Sequence, residues 1–201
     1  MHPIHTTPGF IIASRPYGET GKILSIFTRD IGLVGAVAQG IRLEKSKLRY
    51  HTQDYSFGTF SFVRGRELWR LTDARDQKCF TPARLRQGYG GQAGENSLLA
   101  KVSVLLKRLL HGEEAHPELF DCVGAGITFG SQAGLTGDQE STLESLLVLR
   151  ILRLLGYIGD NKEMKECFKN NHFDIELIDM VMNKRSVINQ HINKALRESH
   201  L

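Results

Sequence analysis

Nowhere in the 201-residue chain is there an uninterrupted apolar stretch of about 18 residues, which excludes a conventional membrane-spanning helix. The opening MHPIHTTPGF lacks the charged-then-apolar layout of a secretory leader. A cytoplasmic protein with no membrane association is expected. Cysteine is scarce as well. Cys79, Cys122 and Cys167 stand more than forty residues apart, so there is neither a C-x-x-C metal pair nor a dense disulfide framework, and the three read as reduced thiols.

Familiar catalytic and nucleotide-binding signatures are missing too. In RPYGETGK the position that a Walker loop gives to its first glycine holds Pro16, and the hydroxyl position after Lys22 holds Ile23. HGEEAH resembles a zinc motif, yet His111 and His116 are five residues apart, diverging by roughly 140° on a helix, and cannot share a metal from one face. FGSQAG fails G-x-S-x-G because Gly130 directly precedes Ser131. Acids such as Glu113, Glu114 and Asp160 show no paired arrangement tied to a strand end. No enzyme, no cofactor and no catalytic residue is expected.

What is present begins with charge. Residues 1–80 hold 12 Lys+Arg against 7 Asp+Glu, whereas residues 81–201 hold 14 against 15. The whole basic excess lies in the first part, as a polyanion-binding surface requires. There, GFIIAS, KILSIFT, GLVGAVAQG, YSFGTFSFV and ELWRLTDA are short β-branched or aromatic runs separated by turn residues. Five strands in about 70 residues predict a small closed barrel, and RPYGETGK becomes a turn between the first two strands.

Residues 84–95, RLRQGYGGQAGE, hold four glycines and two glutamines without apolar periodicity. A linker or insertion over 81–95 therefore separates a domain of residues 1–80 from a helical domain of 96–201. Beyond the linker, Leu98, Leu99, Val102, Leu105, Leu106, Leu109 and Leu110 follow helical spacing, with Asn96 or Ser97 as N-cap and Gly112 as stop. HPELFDCVGAGITFG predicts a second helix, in which Gly124 and Gly126 weaken helicity and permit close contact. A third spans about 138–156, opened by a capping box of Thr136 and Gln139. FDIELIDMVMNKRSVINQHINKALRES continues in helical period as two pieces.

Two segments carry the candidate chemistry. GIRLEKSKLRY places Arg42, Lys45, Lys47 and Arg49 within eight residues, and VRGRELWR adds Arg64, Arg66 and Arg70 at the next hairpin. On a five-stranded barrel these can share one basic face that grips phosphates, with Tyr50, Tyr55 and Phe57 as candidate stacking surfaces. The lone tryptophan, Trp69, is expected beside this region as a reporter of binding.

The run GFIIASRPYGETGKILSIFTRDIGLVGAVAQGIRLEKSKLR, the later LTDA, and LESLLVLRILRLLGY resemble the bacterial recombination mediator RecO family. Tyr17-Gly18-Glu19, the strand LSIFTR and the step from Gly40 to Lys45-Ser46 fall in family order. The resemblance implies an α+β chain, an N-terminal five-stranded OB-fold β-barrel followed by an all-helical domain. It also implies binding and annealing of single-stranded and double-stranded DNA, with RecR and single-stranded DNA-binding protein as partners in loading RecA. Many family members carry a four-cysteine zinc finger whose first cysteine matches Cys167, but CFKNNHF offers no second cysteine, so no metal site is expected. For the acidic, apolar-tipped tail of single-stranded DNA-binding protein, the third helix offers Arg150 and Arg153 beside Leu146, Leu147 and Leu154 as a docking surface. Two alternatives stay open: an RNA-binding module on the same barrel, and an interaction protein that binds no nucleic acid.

Overall fold

A computed structural model describes residues 3–79, 97–159, 162–169 and 171–198. The Gly-rich stretch expected to be a linker, 81–95, lies outside the described residues, as does Asp160. The chain divides into two units, Met1–Pro117 and Glu118–Leu201.

In the first unit, strands β1 (Ile4–Tyr17), β2 (Gly21–Thr28), β3 (Gly32–Ala38), β4 (Ser56–Val63) and β5 (Trp69–Cys79) close a barrel in the order β1-β2-β3-β5-β4. All neighbours are antiparallel except β3 and β5, whose parallel pairing, Ala36 with Trp69 and Val37 with Arg70, closes the cylinder. This is the expected OB-fold barrel. A period of two sorts the side chains: in β3, Val34, Ala36 and Ala38 are buried while Leu33, Gly35 and Val37 are half-buried. Inside the barrel, bulky Phe60, Phe62 and Trp69 stand with small Ala36, Ala38 and Ala74. Each large side chain so buried contributes about 1.5–3 kcal/mol.

RPYGETGK is a hairpin rather than a phosphate cradle. Tyr17 pairs with Gly21 across it, and Gly18 turns the tip at φ +59°, where a β-carbon is disfavoured. The long connection from β3 to β4 is pinned from inside. Ile41 is buried in the barrel core and Leu48 packs against it from a short 3₁₀ turn, Lys47–His51. Thr52 Oγ1 donates to the Leu48 carbonyl at 2.7 Å, and the Tyr55 N–H donates to Ile11 O at 2.9 Å.

The first helix, α1 (Leu98–Leu109), corrects the expected boundary. Sequence periodicity assigns it to a helical domain of 96–201, but it groups with the barrel, packing against β1. Strand β1 explains this, because Phe10, Ile11 and Ile12 are all buried and a strand buried on both faces needs a cover outside the barrel. Ser97 caps α1, its hydroxyl accepting from the Ala100 N–H. The chain beyond α1 docks onto the β2–β3 turn, where the Leu33 N–H donates to Gly112 O at 3.3 Å. Gly32 lies there at φ +93°, and a β-carbon on it would run into the backbone of Glu114.

The second unit contains α2 (Pro117–Gln132), α3 (Gly137–Leu154), a 3₁₀ segment Lys162–Phe168, α4 (Ile175–Met182) and α5 (Arg185–Glu198). Helix α3 is its centre, packing on both α4 and α5. Thr136 and Gln139 form the expected capping box, and Gln139 Nε2 also donates to Asp179 Oδ1 of α4 at 3.0 Å. At Gly126 of α2 a β-carbon would stand 3.1 Å from Leu147, so the glycine permits the close approach of α2 to α3. Among the described residues, no helix is long and apolar enough to cross a membrane.

Candidate nucleic-acid interface

Strand register places the two basic segments at opposite ends of the barrel. The end of β3 lies beside the start of β2 (Ala38 with Lys22), which lies beside the end of β1 (Gly21 with Tyr17). Arg42, Lys45, Lys47 and Arg49 follow directly in the β3–β4 connection, and the Arg42 N–H donates to Thr20 O at 2.9 Å, tying that connection to the β1–β2 hairpin. All four side chains are exposed, and no ion pair engages them among the described residues. Their backbone is nonetheless held, because Ile41 and Leu48 anchor the segment in the barrel core. Fixed backbone with free cationic heads is what phosphate binding requires.

Arg64 and Arg66 belong to the β4–β5 hairpin, beside the beginning of β1 (Val63 with Ile4). Arg70 is exposed on β5 beside Val37, between the two ends. A single face containing both segments is therefore not what the fold builds. Arg64 is also occupied: its Nη1 donates to Glu113 Oε2 at 2.9 Å, and its guanidinium stands 5.2 Å from the Trp69 ring centre. Trp69 Nε1 donates to the other oxygen of the same carboxylate at 2.8 Å, and the His5 ring meets the indole edge-on at 5.2 Å. Trp69 is only 4% exposed. It reports on this lower closure of the barrel rather than on the Arg42–Arg49 segment.

Of the three aromatics suggested for stacking, Tyr50 alone is open, at 68% exposure. Tyr55 is half-buried, and Phe57 packs beside Phe10 with ring centres 5.1 Å apart. Two residues not nominated from sequence join Tyr50 as exposed apolar groups at this end: Tyr17, 50% exposed on the hairpin, and Leu43, 53% exposed in the connection. The usable signal was Arg15-x-Tyr17, a cation and an aromatic two apart at a strand end and so on one face.

The surface suggested for partner docking is largely internal. Leu146 and Leu147 are fully buried, and Arg150 is buried with its Nε donating to Cys167 O at 2.7 Å and its Nη1 to His172 O at 3.0 Å. The guanidinium lies 4.3 Å from the Phe173 ring centre. These three residues hold the helical unit together. Arg153 and Leu154 remain accessible, with Arg153 over the Phe168 ring at 4.3 Å, and they line a shallow dent with Arg150, Phe168 and Asn171. A larger groove of about 340 Å³ lies between the 3₁₀ segment and α5, lined by Met164, Cys167, Lys184, Val187 and Ile188.

Arg150 also faces both thiols of this unit. Burial pushes Cys122 up to about 11 and raises Cys167, with the guanidinium partly opposing both shifts. Burial in turn lowers Arg150, offset by the same two cysteines. Both thiols are free. Among the described residues, no group of three His, Cys, Asp or Glu side chains is placed to hold a metal.

Residues 1–80, the barrel with its basic connection, match the family described as "Recombination protein O N terminal". Over this barrel the chain is similar to the RecO family. It is 28% identical over 161 residues to a protein named DNA repair protein RecO from Alkaliphilus metalliredigens, covering 80% of this chain and 61% of that one. It is 36% identical over 134 residues to the RecO of Rubrobacter xylanophilus, covering 62% and 54%, and 29% identical over 171 residues to that of Halalkalibacterium halodurans, covering 85% and 62%. The chain thus spans 54–62% of the length of these RecO relatives.

Proposed function

We propose that this chain acts in DNA repair and homologous recombination as a mediator that binds and anneals DNA. On this reading it is not an enzyme and works in the cytoplasm. The observation that carries the reading is the segment Arg42–Arg49: four exposed cations, without an ion pair among the described residues, on backbone fixed by Ile41 and Leu48 at one end of an OB-fold barrel. OB-folds bind oligonucleotides through the face of strands 2 and 3 and the 1–2 and 4–5 loops, and the Arg42 N–H ties this segment to the first of these loops. Annealing follows physically, because a basic surface lowers the repulsion between two strands brought together on it. RecR and single-stranded DNA-binding protein are the proposed partners, with an acidic tail docking on the helical unit. Arg153 with Leu154, or Lys184 at the rim of the Val187–Ile188 groove, supplies the cation that such a tail needs.

The test is a titration of a labelled single-stranded DNA oligonucleotide at several salt concentrations. Log K should fall with log salt by about 0.7 for each phosphate bound. Binding that is absent at low salt, or indifferent to salt, removes the proposal. A matched RNA oligonucleotide that binds more tightly than DNA would move the assignment to RNA.

A further inference from the structure

We propose that Tyr17 and Tyr50 form a base-stacking platform, so that this end of the barrel takes single strands with unstacked bases in preference to duplex; the inference rests on the DNA-binding reading above. Large apolar side chains exposed on a soluble surface call for an occupant when they gather in one place. Tyr17, Leu43 and Tyr50 are three of the exposed large apolar residues, and all belong to the β1–β2 hairpin or the β3–β4 connection that the Arg42–Thr20 hydrogen bond joins. Neither tyrosine is there for want of a better position. Tyr17 closes β1, paired with Gly21, so tight a pairing that a β-carbon on Gly21 would stand 2.8 Å from Tyr17 O. Tyr50 rides on the 3₁₀ turn whose Leu48 is pinned into the barrel core, and the turn itself is tied down by Thr52. Both rings are thus presented on held backbone, which lowers the entropic cost of ordering them against a ligand.

Charge identifies that ligand. Residues 15–22 and 39–51 carry six cations, Arg15, Lys22, Arg42, Lys45, Lys47 and Arg49, against two carboxylates, Glu19 and Glu44. Cations interleaved with exposed rings match a chain that alternates phosphates with flat bases. An acidic protein surface would use the cations but give the rings no comparable partner. A duplex also presents phosphates, but its base faces are covered by stacking, so only a single strand engages cations and rings together. Arg15 and Tyr17, two apart on one face of β1, place a phosphate ligand next to a base ligand.

Three DNA probes test this with the full chain: a single-stranded oligonucleotide, the same length as duplex, and the same length as an abasic strand, which keeps the phosphates and lacks the bases. The wild type should bind the base-bearing single strand more tightly than the abasic strand. Tyr17→Ser and Tyr50→Ser, both at exposed positions, should each weaken single-strand binding by about 5- to 150-fold, the range for losing one stacked base. Both should leave duplex affinity and the salt slope unchanged and erase the preference over the abasic strand. Tyr→Phe at either position should restore wild-type binding, since the ring face and not the hydroxyl is used. The platform is overturned if the serine variants bind single strands like the wild type, or lose single-strand, duplex and abasic binding equally. If the wild type binds none of the three probes, the DNA reading falls and the platform falls with it.

Discussion

Trp69 Nε1 donates to the carboxylate of Glu113 at 2.8 Å, joining the start of β5 to the chain that follows α1. The indole is only 4% exposed, and its N–H takes this carboxylate as acceptor. Glu113→Ala should cost about 1–3 kcal/mol, the penalty for an unsatisfied buried donor. Arg64 shares the carboxylate, but that ion pair is 66% and 35% exposed and is worth at most about 1 kcal/mol. Glu113→Gln, which keeps an acceptor for the indole, and Arg64→Ala should each cost under about 1 kcal/mol. Urea unfolding followed by tryptophan emission measures all three, since Trp69 is the sole tryptophan. If Gln costs as much as Ala, the ion pair and not the indole hydrogen bond fastens this end.

Arg150 shows a cation used as a structural clasp. Its two hydrogen bonds to Cys167 O and His172 O join α3 to the 3₁₀ segment and to the stretch before α4. Arg150→Met keeps some of the packing over Phe173 but strands two carbonyls, and should cost about 2–5 kcal/mol. Arg150→Lys should recover less than half of that, because an ammonium cannot serve two carbonyls and stack at once. Circular dichroism of the helical transition checks the order. Arg153→Ala removes a half-buried cation–π contact with Phe168 and should cost under about 1 kcal/mol. It is therefore the variant in which weaker binding of an acidic tail peptide speaks to docking rather than to folding.

Cys122 predicts the alkaline limit of the helical unit. Its thiol is pushed from 9.0 to about 11 by burial. Between these values the unfolded chain has lost the proton and the folded chain keeps it. The unfolded state then binds fewer protons, so stability falls as pH rises. The contribution is fully present below about 9 and lost through about 11, on the order of 3 kcal/mol in all. Unfolding midpoints measured from pH 7 to 11 should fall from about 9 upward, and Cys122→Ser or Cys122→Ala should reduce that slope. At pH 8 about one Cys122 in a thousand is thiolate, so alkylation of the native protein should spare it until denaturant is added.

The barrel was legible because its strands carry strict alternation and its turns carry glycine and proline where chain reversal needs them. Val34, Ala36 and Ala38 announce an inward face without any tertiary information. Two matters were not legible. A hydrophobic stripe says that α1 must be covered but not by what, so Leu99, Val102 and Leu106 read as bundle residues when they cover a strand buried on both faces. Basic residues read alike whether free or engaged. Arg150 resembles Arg153 in the sequence, and only the carbonyls of Cys167 and His172, 17 and 22 residues further on, separate them. For the same reason the barrel's two basic segments merged into one expected face, since which end a loop occupies depends on register, and register is set by pairing across strands.

That separation yields the sharpest test of the DNA surface. Reversing Arg42, Lys45, Lys47 and Arg49 together to Glu should abolish binding of a single-stranded oligonucleotide. Replacing them singly by Ala should flatten log K against log salt by about 0.7 for each phosphate no longer neutralised. Reversing Arg64 and Arg66 instead should leave affinity within about threefold. They sit at the other end of β1, a 14-residue strand, and charges further apart than the screening length of about 8 Å at physiological salt hardly act on each other. Arg64→Glu also places a second carboxylate beside Glu113, so the pair of reversals must first be matched to the wild type by Trp69 emission. Arg66→Glu alone, at an exposed position with no ion pair among the described residues, serves as the clean control. Equal weakening from the two ends would mean that DNA wraps the whole barrel, and would return Arg64, Arg66 and Arg70 to the binding surface.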